Sequence, residues 1–200
     1  MTNRLTIGIL IFADVEVLDF CGPFEVFSTA RRPGEPDDDK QVFNVLTIAE
    51  QKGTIRCRGG LLVQPHHAFD NHPPLDILIV PGGRGTRALT DHRATLDWIS
   101  TQAASVSLLT SVCTGAGLLG AAGLLEGKRA TTHWGAIDWL KQLAPTTTVL
   151  ENVRFVDEGE LVTSAGVSVG IDMSLHIVER LCGPEIARHT ARELEYDWRP

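Results

Sequence analysis

The sequence predicts an α/β sandwich in which a mainly parallel sheet lies between layers of helices, and three observations predict it. Short β-branched runs alternate with segments of helical period along the 200 residues. The run ILIV at 77–80 is apolar at every position, as a strand covered on both faces requires. The segment SVGIDMSLHIVERLCG spaces Val169, Met173, Ile177 and Leu181 four residues apart, the stripe of an amphipathic helix closed by Gly183.

The elements follow in order. TIGILIF at 6–12 reads as the first strand; PFEVFSTARR at 23–32 reads as a helix, with Gly22 and Pro23 marking its start. RRPGEPDDDK at 31–40 is a polar surface loop, and VFNVLTIAE at 42–50 returns as a strand. TIRCRGGLLVQP at 54–65 suits two short strands bent about Gly59 and Gly60. LDILIVPGG supplies the central strand, RATLDWISTQAA a helix and VSLLTSVC the next buried strand. The small residues from Thr114 to Gly123 suit a helix packed close on the sheet, and KRATTH at 128–133 reads as a further strand. PEIARHTARELEY supplies the last helix, with Pro184 in its first turn, and residues 198–200 read as a frayed end.

With 43% hydrophobic and 22% charged residues, the chain is long enough for one filled core, so a single domain over 1–200 is expected. The net charge of −7 repels phosphate backbones, which argues against nucleic acid as a partner. The apolar stretch from Ile7 to Phe12 is too short to span a membrane, and no small-residue cleavage site follows it, so a cytoplasmic protein without a membrane partner is expected. Cys21, Cys57, Cys113 and Cys182 lie far apart with no C-x-x-C pair, as free thiols in a reducing compartment do. No His-x-x-x-His pair occurs, and His66 and His67 adjoin a proline, so no metal site is expected.

Cys113 ends a strand immediately before a helix, with Ser111 and Gly115 two residues away, a loose form of the nucleophile elbow. Helix N–H groups at such a corner favour the thiolate, which predicts a lowered thiol pKa. The plainer alternative is a cysteine that fills space between sheet and helix. Gly82 and Gly83 end the neighbouring strand, where the Gly83 and Thr114 N–H groups are candidates for an oxyanion hole; a plain turn is the alternative. Asp19, placed between the first strand and its helix, is either an acid/base carboxyl or a helix N-cap. Glu16 and Glu25 are rival carboxylates, with Glu16 expected to face solvent. His133, twenty residues beyond Cys113, is a candidate base for the thiol or else a half-buried histidine bonded to backbone.

With those residues placed, five blocks carry a resemblance to a known family: LDFCGPFEVF at 18–27, VPGG at 80–83, SVCTGAGLLGAAGLLEGKRATTHW at 111–134, SAGVSVGIDMSLHIVE at 164–179 and LEYD at 194–197. Over nearly its full length the chain resembles the ThiJ/PfpI superfamily, the class I glutamine amidotransferase-like fold, and within it the isonitrile hydratases and the sensor domains of AraC-type regulators. The resemblance implies a flavodoxin-like three-layer sandwich with a cysteine nucleophile elbow. It implies hydration of an isonitrile, R–N≡C, to an N-substituted formamide, with Cys113 as nucleophile, Asp19 as acid/base carboxyl and Thr114 positioning water or substrate. It implies a small-molecule substrate, no cofactor and a homodimer. Asp19 separates the chain from superfamily branches with Glu at that position, while Cys21 stands where the hydratase motif has Thr. A metabolite sensor without turnover, and a cysteine-dependent glyoxalase, deglycase or amide hydrolase, are the alternatives.

Overall fold

The computed structural model describes residues 4–32 and 41–199. Among these residues eleven strands form: β1 Leu5–Leu10, β2 Phe43–Ala49, β3 Ile55–Arg56, β4 Leu62–Val63, β5 His67–Ala68, β6 Ile77–Val80, β7 Leu108–Val112, β8 Arg129–Ala130, β9 Thr148–Val149, β10 Phe155–Asp157 and β11 Leu161–Ser164. Seven α-helices accompany them: α1 Val17–Thr29, α2 Thr86–Leu89, α3 Arg93–Ala103, α4 Gly115–Ala121, α5 Ile137–Leu143, α6 Val169–Cys182 and α7 Pro184–Glu193. The central sheet runs β10-β11-β7-β6-β1-β2-β5, parallel throughout except for β10 at one edge.

β6 lies in the middle of this sheet, and its four side chains are fully buried, as an apolar strand covered on both faces must be. The register pairs Ile7 with Ile77 and Val80 with Ser111, so β6 and β7 stop side by side. Their carboxyl ends, followed by Pro81–Gly83 and by Cys113, form the edge where ligands collect in parallel sheets.

Several expectations are corrected. α1 begins at Val17, six residues before Pro23, which lies inside it. Gly22 and Pro23 mark a close contact instead of a start: a Cβ on Gly22 would stand 3.1 Å from Ile171 on α6, the helix packed against this face. KRATTH forms only the two-residue β8, which pairs with β9 outside the central sheet, while the Thr131 N–H turns to the Thr163 hydroxyl. α5, β10 and β11 arise in a stretch to which the sequence pattern assigned no element, β10 and β11 being short strands of three and four residues. The polar loop expected at 31–40 lies, from residue 33, outside the described residues.

The expected frayed end is tied down through Trp198: Tyr196 donates to Asp172 Oδ2 at 2.9 Å, Arg154 pairs with the same oxygen, and Trp198 packs on the core. Pro200 lies outside the described residues.

Backbone meets backbone closely at the start of α4. A Cβ on Gly115 would stand 2.0 Å from the Val80 carbonyl oxygen, a backbone atom that cannot swing aside. Gly115→Ala is therefore expected to cost about 3 kcal/mol through overpacking. Thermal unfolding should show a midpoint about 10 °C lower than wild type.

Candidate active site

The corner between β7 and α4 holds Cys113 at φ +56°, a left-handed conformation costly for a side-chain-bearing residue. The corner is fixed from three directions. The Cys113 N–H donates to Ser164 O at 3.1 Å, the Thr132 hydroxyl donates to Cys113 O at 2.7 Å, and Gly115 abuts Val80.

Asp19 comes from the first turn of α1, three residues after the N-cap Glu16, so it is neither ahead of the helix nor the cap. Its carboxyl is fully buried. Oδ2 accepts the Gly82 N–H at 3.1 Å, Oδ1 has no regular hydrogen-bond partner, and the Cys113 thiol interacts with the carboxyl. Burial pushes Asp19 up to about 7, the Gly82 and Cys113 hydrogen bonds opposing that rise.

Cys113 is pushed up to about 12, first by burial and then by the charge of Asp19. This corrects the expected lowering: the Thr114 N–H and hydroxyl do stabilise the thiolate, but desolvation and the neighbouring carboxylate outweigh them. Between the two values the pair holds one proton. Its major form is carboxylate and thiol. Moving the proton gives carboxylic acid and thiolate, in which Asp19 no longer repels the sulfur and the Thr114 donors face an anion.

Thr114 is held for that task by neighbours on the β6 side. The Gly83 N–H donates to Thr114 Oγ1 at 3.0 Å, and the Thr86 hydroxyl donates to Gly83 O at 2.8 Å. The Gly83 carbonyl accepts from both hydroxyls, Thr86 at 2.8 Å and Thr114 at 3.3 Å, so the Thr114 proton is shared between that carbonyl and the sulfur. The amides of Gly82 and Gly83 are therefore engaged with Asp19 and Thr114. They position those residues and do not form the open oxyanion hole expected of them.

His133 lines the same cavity, but its Nδ1 accepts the Gly135 N–H at 3.1 Å. A backbone N–H can only donate, so neutral His133 carries its proton on Nε2 and is a donor, not the base expected for Cys113. Glu16, expected in solvent, also lines the cavity, pairing with Arg58; Glu25 is the exposed one. Gly166 stands over the sulfur, where a Cβ would lie 2.7 Å from Cys113 Sγ and 3.0 Å from His133 Cδ2. Cys21 is half-buried and does not line the cavity.

The sequence pattern pointed to Cys113, Thr114, Asp19, Gly82, Gly83 and His133 at this edge. It missed Thr86, Gly166, Arg58, Arg84 and Arg87. A threonine behind a Gly-Gly turn and a glycine in an unassigned stretch carry no local signal. The cavity measures about 280 Å³, just below the range of roughly 300–1,000 Å³ usual for small-molecule sites. No three His, Cys, Asp or Glu side chains converge to hold a metal ion among the described residues. Among them, too, no helix is long and apolar enough to cross a membrane.

The pattern of the DJ-1/PfpI family matches residues 6–180. The chain belongs to the DJ-1/PfpI family. Among its relatives is an isonitrile hydratase of Pseudomonas putida, 38% identical over 192 residues, covering 96% of this chain and 78% of that protein. The transcriptional regulator GbdR of Pseudomonas aeruginosa is 26% identical over 98% of this chain, which spans 52% of the regulator. A solved ThiJ/PfpI family protein from Pseudomonas syringae superposes with a TM-score of 0.87 at 30% identity, covering 99% of this chain and 77% of that one. Drosophila melanogaster DJ-1beta shares the fold, with a TM-score of 0.81 at 19% identity over 98% of this chain and 100% of that one.

The one-proton pair has a kinetic signature. From about pH 7 to about pH 10, iodoacetamide labelling of wild-type Cys113 should be flat, because thiolate forms there by proton transfer within the pair. In Asp19→Asn the rate should rise about tenfold per pH unit, as for an isolated thiol below its pKa. Peptide mass spectrometry resolves Cys113 from the other three cysteines, and a unit slope in wild type contradicts the shared proton.

Proposed function

We propose that this DJ-1/PfpI chain is a cysteine-dependent isonitrile hydratase, a lyase that converts R–N≡C and water into R–NH–CHO. The observation that carries the proposal is the buried Asp19 carboxyl held against the Cys113 thiol at a strand-to-helix corner. It stands in a chain 38% identical to an isonitrile hydratase across 96% of its length.

In the proposed reaction Cys113 Sγ bonds to the terminal isonitrile carbon, and the proton held with Asp19 passes to that carbon. The product is a thioimidate, R–N=CH–S–Cys113. Water then adds across the C=N bond: Asp19 takes a proton from it, and nitrogen gains one. The C–S bond breaks, the hydroxyl proton returns to sulfur and the formamide leaves. Every product atom comes from isonitrile and water, no electrons are exchanged, and no cofactor is required. Thr114 serves as donor to the sulfur through its amide and hydroxyl. The His133 Nε2–H is a donor available to the ligand.

The likeness to GbdR favours a second reading, in which the cavity holds a metabolite without turnover. A panel of small isonitriles, α-oxoaldehydes and amides separates the two. Formamide release should fall at least ~10³-fold in Cys113→Ala, and in Asp19→Asn by ~10²–10⁴-fold with labelling of Cys113 retained. Saturable ligand binding with no turnover of any substrate supports the sensor.

The free cysteines suit a reducing cytoplasm. A homodimer is part of the same proposal. Leu61 and Leu62, on the β3–β4 hairpin, and Leu18 on α1 are exposed, and the hairpin is bound to the start of α1 by the Arg58 N–H on Val15 O at 2.9 Å. A second copy covering these leucines gives a sedimentation mass of two chains, which Leu62→Glu should reduce to one.

A further inference from the structure

The chain carries a net charge of −7, yet three arginines and one glutamate line the Cys113 cavity, with the buried Asp19 carboxyl behind the sulfur. Glu16 is taken up by Arg58. Among the described residues, neither Arg84 nor Arg87 has an ion-pairing carboxylate. The cavity beside the sulfur is thus a local excess of positive charge on an acidic protein.

Arg87 is held without a carboxylate. Its guanidinium carbon lies over the Trp139 ring, 3.5 Å from the centroid, a cation–π contact that leaves its N–H groups without a carboxylate. That platform is firm, because Trp139 is wedged against α4: a Cβ on Gly117 would stand 2.0 Å from the indole. Desolvation lowers the Arg87 pKa, and no neighbouring anion offsets it. Arg87 is exposed to solvent like Arg84, yet a guanidinium seated on an indole at the rim of the cavity, without a carboxylate partner, is placed to pair with an anionic ligand. Arg84, three residues earlier, borders the same cavity and is open to solvent.

We infer that Arg84 and Arg87 form a carboxylate-binding subsite, and that the substrate is a small isonitrile bearing a carboxylate at the end away from its reacting carbon. The planar fork of arginine matches a carboxylate with paired N–H donors, which a neutral ester or amide meets with weaker bonds. The volume of about 280 Å³ suits a small molecule. The chemistry rests on the hydratase proposal; the binding does not.

The test compares isocyanoacetate with methyl isocyanoacetate, and, on Cys113→Ala, the corresponding product N-formylglycine with its methyl ester. Wild type should prefer the acid over the ester by ~10-fold or more in kcat/KM, the advantage of a charge-assisted over a neutral hydrogen bond. The preference should shrink as ionic strength rises. In the double variant Arg84→Gln/Arg87→Gln it should fall to near unity, with Arg84→Gln, at an exposed position, intermediate. Arg87→Lys, which keeps the charge but loses the fork, should retain only part of it.

Calorimetry on Cys113→Ala carries the same comparison without turnover. Binding of N-formylglycine that is lost with both arginines supports the subsite even when no isonitrile is hydrated, a result that would sink the hydratase proposal alone. Equal affinity and equal kcat/KM for acid and ester overturn the subsite, whatever the rate of hydration. So does an acid preference that survives in the folded double variant.

Discussion

Two strand ends meeting without room for a side chain constrain everything at this edge. Gly115 rides on the Val80 carbonyl, and a Cβ on Gly82 would lie 2.5 Å from the Thr114 amide nitrogen. With β6 and α4 locked so closely, the two-residue link between β7 and α4 turns sharply, and Cys113, its first residue, takes the left-handed conformation. The strain is borne by the surrounding sheet: the corner is bonded through its amide to β11 and through its carbonyl to Thr132. The same contact aligns Thr114 with the sulfur, so packing and chemistry have one cause.

Burial is the second constraint, and it works on the pair of acids together. Asp19 sits in a helix turn where a carboxylate ordinarily gains from the helix dipole, yet full burial more than cancels that advantage. Among the described residues its one backbone donor is Gly82, too little to hold the charge against desolvation. A carboxyl left near neutrality beside a thiol is well placed to pass a proton in either direction at physiological pH. An isolated buried cysteine lacks that capacity, which is why the sulfur's high pKa does not make it inert.

Much of this was legible in the sequence, and the limits have physical causes. ILIV at 77–80 and the four-residue stripe of α6 are strong periodic signals, and both became the elements they suggested. Gly22 and Pro23 misled because the same residues serve helix starts and close helix–helix contacts; the contact with Ile171 decided here. β10 and β11 are three and four residues long, too short for periodicity to register. Cys113 and Asp19 were visible because strand-to-helix corners are predictable. Arg84, Arg87 and Gly166 were not, because what matters about them is a partner absent or a space unfilled, and neither leaves a trace in composition.

Gly166 has one more consequence. A Cβ at 166 would lie 2.7 Å from Cys113 Sγ and 3.0 Å from His133 Cδ2, so any larger residue here would take up the space in which a reactant meets the thiol. The bare backbone at this position keeps that space for a visitor.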